Sequence, residues 1–220
     1  IDVYDEETKK ELKDIFEFCE GYKKFLNESK TEREAVKSFE KMAEENKFKN
    51  AEDVKQIKPG DRIFYNNRGK NFVFMIAGKE DIDKGVNFVV SHIDSPRLDL
   101  KQNPLYEDQD IAMFKTHYYG GIKKYQWGSI PLALHGVVIL KNGDKVEFKL
   151  GEDENDPVFL IGDLLPHLAA KMQGDRKMGE VLKGEELRII VGSIPAAGKE
   201  KSDKNLVKKA ILEKLEEEYG

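Results

Sequence analysis

In VNFVVSHIDSPRLDL, residues 86–100, a run of valine and phenylalanine stops at Ser91, and His92, Asp94, Arg97 and Asp99 follow within eight residues. An imidazole can ligate a metal through one ring nitrogen. A carboxylate two residues on can accept the N–H of the other nitrogen and so fix the tautomer and the ring orientation. The same spacing also suits a hydrogen-bonded histidine at a strand end with a purely structural role. His92 and Asp94 are therefore candidates either for a metal centre or for a structural pair. His and Asp side chains suit zinc, manganese or cobalt.

The elements around them follow from periodicity. VNFVVS is apolar at nearly every position, which predicts a central strand covered on both faces, in a parallel or mixed sheet with helices on each side. Residues two apart on a strand share a face. Sites of open α/β sheets lie beyond the carboxyl ends of the strands, where His92 and Asp94 would then sit. Pro96 ends the ladder. Upstream, Leu12, Ile15, Phe16, Cys19, Tyr22 and Leu26 recur at helical spacing, which predicts a helix over 5–29. Thr31-Glu32-Arg33-Glu34 has the pattern of a capping box opening a second helix over 32–46. RIFYNN and NFVFMIAG are β-rich and flank Arg68-Gly69-Lys70, a hairpin signal.

After Pro104 the texture changes. LYEDQD reads as a polar loop. IPLALHGVVIL and KVEFKL are joined across Asn142-Gly143, and PVFLIG and LRIIVGSIP are further strands. LLPHLAAKM reads as a short helix, GEDENDP as a surface loop, and 203–218 as a last amphipathic helix. The expected organisation is an α/β layer over 1–103 followed by a β-rich, barrel-like region over 104–220 that ends in that helix. Glu216, Glu217 and Glu218 at its C-terminus oppose the helix dipole. This suggests a natural chain that runs on, just as a start at Ile1 suggests trimming at the front.

Composition bounds the class. The chain has 220 residues, so one large domain or two small ones are both open. A net charge of −5 with acids and bases interspersed disfavours nucleic-acid binding. A lone cysteine, Cys19, rules out an internal disulfide, and no apolar run reaches the roughly 18 residues of a membrane span. The acidic front, IDVYDEETKK, is no secretory signal. A soluble cytoplasmic protein with no membrane partner is expected. Cys19 reads as a small core hydrophobe rather than a nucleophile. His135 reads as a packed or partly exposed strand residue, and Glu185-Glu186 as surface charge. His117, before Gly120-Gly121, has either a structural role or one near the site. Trp127 and Tyr118, Tyr119 and Tyr125 belong either to a core or to an interface or lid.

Taken together, SHIDSPRLDLK, KTHYYGGIKKYQWGSIPLALHG, GEDENDPVF and LLPHLA closely resemble the M18 family of metalloaminopeptidases, which includes aspartyl aminopeptidases and the aminopeptidase I type. The resemblance is nearest to bacterial members of the latter group and runs through essentially the whole chain. It implies an α/β zinc-peptidase domain with an inserted β-rich dimerisation and lid domain. It also implies two divalent metals, usually zinc, action on peptide substrates at their N-terminal residue, and a homo-oligomer built from dimers up to a dodecamer. On it, His92 is the first metal ligand and Asp94 the catalytic residue that orients it. His167 takes the first place of the family's P-H-L-A-x-H pattern. The second histidine, which in some relatives reaches a neighbouring subunit's site, is Lys171 here, so that role is lost or altered. The family's remaining ligands lie downstream (a bridging aspartate, a Glu-Glu pair, another aspartate and a late histidine), and none is found in this sequence. The resemblance thus implies a partial active site, inactive by itself. The alternative is a non-catalytic oligomerisation or binding module, with 104–200 as the working part and His92 structural.

Overall fold

The structure, a computed structural model, describes residues 6–197 and 204–219. The expectations resting on residues 1–5 and on the side chain of Glu218 lie outside the described residues. The chain divides into two compact units, Ile1–Ser95 and Pro96–Gly220. The division follows Ser95, where the sequence placed it after 103.

The first unit begins with α1 (Glu6–Glu28) and α2 (Glu32–Glu45). The capping box is present. Thr31 Oγ1 accepts from the Glu34 N–H at 3.3 Å, and Glu34 Oε2 accepts from the Thr31 N–H at 3.0 Å. This satisfies two donors that a helix start would otherwise leave open. A mixed three-stranded sheet follows. β1 (Lys49–Asn50) runs parallel to β2 (Arg62–Asn67), which pairs antiparallel with β3 (Asn71–Ile76). The β2–β3 turn has Arg68 at φ 60° and Gly69 at φ 68°. Positive φ at both central positions matches the right-handed twist of the strands. Ala35, Val36 and Ala43 of α2 are buried, and Phe39 packs on Phe25, Phe72 and Phe74. That aromatic cluster ties both helices to the sheet.

Two expectations fail here. Residues 86–91 form no strand, and Phe88, Val89 and Val90 are 81%, 101% and 86% exposed. The apolar pattern is real, but among the described residues no strand pairs with it, and an unpaired segment has no sheet to be buried in. The α1 stripe behaves in the same way. Ile15, Phe16, Tyr22 and Leu26 are exposed, and so is Cys19, which is therefore no core residue.

The second unit holds a four-stranded antiparallel sheet in the order β4 (Arg97–Asp108), β5 (Ile111–Tyr119), β9 (Arg188–Gly192), β8 (Leu160–Ile161). A separate hairpin joins β6 (Leu134–Ile139) to β7 (Lys145–Leu150). Two helices complete it, α3 (Pro166–Met172) and α4 (Leu206–Tyr219). The sheets do not close into a barrel among the described residues, which corrects the barrel-like expectation to a mixed α/β fold with several open sheets. LYED is part of β4 rather than loop, because the turn is only Gln109-Asp110, at φ 52° and 58°. The core is Phe159, Ile161, Leu182, Leu187 and Ile189, with Leu98, Phe114 and Trp127 packed against it. Trp127 is thus a core-packing residue. The Glu107 carboxylate accepts from the Lys208 N–H at 2.8 Å, placing an anion at the start of α4, where the helix dipole favours it.

Glu186 is a strut of this unit rather than loose surface charge. Arg176 grips it in two places, at 2.7 and 3.0 Å, and the Lys183 N–H donates to it at 2.9 Å. Arg176 and the Lys183 amide hold its carboxyl below the usual carboxylate range, against an opposing effect of burial. A carboxyl depressed in the folded state stabilises the fold above its unfolded pKa, about 4.3, and that contribution is lost as the pH falls through the folded value. The pair is partly solvated, so Glu186→Gln is expected to cost about 1 kcal/mol at pH 7. Urea titrations at pH 7 and pH 3 check this, since the gap between parent and variant should shrink at the lower pH.

Candidate functional site

His92 and Asp94 lie on the irregular segment that ends the first unit, just before β4 begins at Arg97. The imidazole is solvent-facing, with its side chain 81% exposed, and Asp94 is at 32%. Nδ1 lies 2.9 Å from the Asp94 main-chain carbonyl and 3.2 Å from Asp94 Oδ1. A carbonyl and a carboxylate only accept hydrogen bonds. In the neutral ring these contacts place the proton on Nδ1 and leave the lone pair on Nε2. This is the tautomer a histidine needs to ligate a metal through Nε2. The nearer of the two braces is the main-chain oxygen, which the sequence reading did not anticipate.

The chain leaving the pair is held firmly. Arg97 Nε donates to Asp99 Oδ1 at 2.8 Å, and the Arg97 guanidinium lies 4.2 Å from the centroid of the Tyr119 ring. Gly120, at φ +75°, lets β5 end against Pro96, and a Cβ there would meet Pro96 Cα at 3.5 Å. Sequence reasoning gave Arg97, Tyr119 and Gly120 no role in this. The only signal was the Tyr-Gly-Gly spelling, whose partner across the ladder is not readable from one chain.

The other candidates lie in the second unit. His117 stands directly across from Asp99 in the β4–β5 ladder and stacks on Tyr118 at 5.6 Å. His167 and Lys171 are four apart on α3, hence on one helical face, and both are exposed. Among the described residues none of these three side chains makes a hydrogen bond or a close ion pair, although His117 acts through space on the Glu185 carboxylate. The His135 side chain is 8% exposed, with Nε2 at 3.0 Å from Glu152 Oε1, a packed structural arrangement. Glu185 pairs with Lys101 at 2.9 Å, and this pairing chiefly holds its carboxyl below the usual range. Glu185 and Glu186 thus each have a cationic partner in place. Among the described residues no three His, Cys, Asp or Glu side chains converge on a point that could hold a metal ion. No helix among them is long and apolar enough to cross a membrane.

The fit to zinc is therefore partial. His92 offers one well-oriented nitrogen, whereas protein zinc sites use three or four protein ligands. The chemistry of the donor suits the metal, but the number of donors falls short of a complete site.

Comparison with known proteins places this arrangement. Residues 25–220 match the family model described as aminopeptidase I zinc metalloprotease (M18). A probable M18 family aminopeptidase 1 from Borreliella afzelii is 50% identical over 212 residues, covering 96% of this chain and 46% of the relative. The crystal structure of an M18-family aminopeptidase from Thermotoga maritima superposes with a TM-score of 0.86 at 45% identity, over 94% of this chain and 45% of that one. The structure of a yeast aminopeptidase 1 dodecamer shares the fold at a TM-score of 0.60 and 21% identity, over 82% of this chain and 39% of that one. The chain spans about half the length of the relatives it matches. Matched over most of its length to a family model and to close relatives, the chain belongs to the M18 family of zinc metalloaminopeptidases.

Proposed function

We propose that this chain takes part in zinc-dependent removal of N-terminal residues from peptides. His92 serves as a metal ligand through Nε2, and Asp94 orients it. The observation that carries the reading is the contact of Nδ1 with two oxygens of Asp94, at 2.9 and 3.2 Å, on an imidazole that faces solvent. Zinc, when bound, supplies Lewis acidity and an activated water. What this chain's residues do is fix the tautomer, aim the ring and hold the start of β4 at Arg97. A pair of metals, with manganese or cobalt as substitutes for zinc, accords with such donors.

The β-rich portion after residue 103 is read as a dimerisation and lid region, and a homo-oligomer up to a dodecamer is part of the proposal. Support comes from the exposed Val138 and Ile139 on the β6–β7 hairpin and from the dodecamer of the yeast relative. A single cysteine accords with a reducing, cytoplasmic setting.

The test uses a chromogenic aminoacyl anilide and a zinc titration. With one nitrogen ligand, the 220-residue chain alone should show no turnover above background. A chimera in which this chain replaces the matching part of the Thermotoga maritima relative should cleave the substrate in a zinc-dependent way. Strong turnover by the chain alone overturns the single-ligand reading. A folded but inactive chimera that still assembles favours a non-catalytic module.

A further inference from the structure

The β5–β9 ladder sets Lys115 directly opposite Arg188. Like charges directly opposite on one face of an antiparallel pair repel, so the arrangement costs stability. Both cations are nevertheless held in place by one ring. Lys115 Nζ lies 5.1 Å, and the Arg188 guanidinium carbon 5.8 Å, from the centroid of Tyr106. A third cation, Lys101, stands beside them on β4, but it is already neutralised, with Nζ 3.2 and 2.9 Å from the two oxygens of Glu185. Arg188 Nε donates to the Glu185 main-chain carbonyl at 3.3 Å. That bond leaves the two terminal guanidinium nitrogens. Among the described residues neither they nor Lys115 Nζ make a hydrogen bond or a close ion pair to a carboxylate, although Arg188 and the Glu185 carboxylate attract each other through space.

These side chains line a recess of about 350 Å³, formed by Lys101, Lys115, Thr116, Glu185 and Arg188. Its size lies at the lower end for small-molecule sites. Its wall is fixed from behind, because buried Thr116 donates its hydroxyl to the Leu187 carbonyl and so ties β5 to the turn leading into β9. Lys101, Lys115 and Arg188 against the single carboxylate of Glu185 leave a positive excess on this wall, and the planar guanidinium fork of Arg188 adds directed donors, a combination that matches a doubly charged oxyanion. Guanidinium and ammonium groups together bind phosphate through charge-assisted hydrogen bonds.

We propose that this recess is an anion site that takes a phosphate group, held between Lys115 Nζ and the terminal nitrogens of Arg188. The proposal does not depend on the peptidase reading.

The test follows amide chemical shifts of the 220-residue chain at low ionic strength during titration with inorganic phosphate and, separately, with phenyl phosphate. Saturable shifts at Lys115, Thr116 and Arg188 are expected, with a dissociation constant on the order of millimolar that weakens as salt is added. Tighter binding of phenyl phosphate assigns the site to a phosphorylated small molecule, and equal binding assigns it to free phosphate. The Lys115→Gln/Arg188→Gln double variant should bind at least about ten-fold more weakly. Without phosphate it should melt no lower than the parent, because the cross-strand repulsion has gone. A control double variant, Lys141→Gln/Lys177→Gln, removes equal charge elsewhere and should bind as the parent does. The proposal is overturned if shifts at the three residues are absent, if the first variant binds unchanged, or if the control loses as much affinity.

Discussion

In the chimera with the Thermotoga maritima relative, His92→Ala is expected to abolish zinc-dependent aminoacyl-anilide cleavage. The loss in kcat/KM should exceed the roughly 10–100-fold that follows removal of an outer partner of a metal ligand. The reason lies in the geometry. Nδ1 is taken by Asp94, so Nε2 is the nitrogen left to bind metal, and alanine removes it together with its orientation. Asp94→Ala should do less. The closer brace, at 2.9 Å, is the main-chain carbonyl of residue 94, which survives the substitution and keeps the proton on Nδ1. What disappears is the carboxylate at 3.2 Å and its negative charge, and the fall in zinc affinity should sit near the lower end, about 10-fold. The measurements are zinc content by elemental analysis and kcat/KM at saturating zinc. His92→Ala chimera that keeps both would remove His92 from the metal site. A reversed order, with Asp94→Ala the more damaging, would give the carboxylate a direct part in the chemistry rather than an orienting one.

How much of this was legible follows from how local each signal is. The His92–Asp94 pair spans two residues, so its chemistry could be read from spacing, as could the Thr31–Glu34 capping box. The turns at Arg68-Gly69 and Asn142-Gly143 announce themselves through glycine. The Gln109-Asp110 turn does not, since both residues take positive φ without glycine, and the strand before it was read as loop. Residues 86–91 carry a strand's apolar pattern, yet burial requires neighbours, and none pairs with them among the described residues. The same holds for the exposed stripe on α1. Periodicity reports which face a segment could bury, not whether anything covers it. The Lys115–Arg188 pair was unreadable for the opposite reason. It is made by register between strands far apart in sequence, and charged strand residues taken singly look like ordinary solvent-facing ones.

Leu187→Ala is expected to destabilise the second unit by about 3 kcal/mol, a large fraction of the roughly 5–15 kcal/mol that holds a typical domain together. Leu187 is 1% exposed and sits among Phe159, Ile161, Leu182 and Ile189, none above 7%. Its neighbours are anchored on three sides. Phe159 and Ile161 bridge to Leu132 and Gly128, Ile189 lies inside β9, and the Leu187 carbonyl is pinned by Thr116. A site so constrained cannot collapse around the missing methyl groups, which places the cost above the low end of the leucine-to-alanine range. Leu187→Met, which nearly conserves volume, should cost under about 1.5 kcal/mol. Leu165→Ala removes the same atoms from a position 62% exposed and should stay within about 0.5 kcal/mol of the parent. Trp127, the only tryptophan in the chain, packs against this cluster, so its fluorescence in urea reports the unfolding of this core directly. If Leu187→Ala and Leu165→Ala shift the midpoint equally, the core is not where the structure places it.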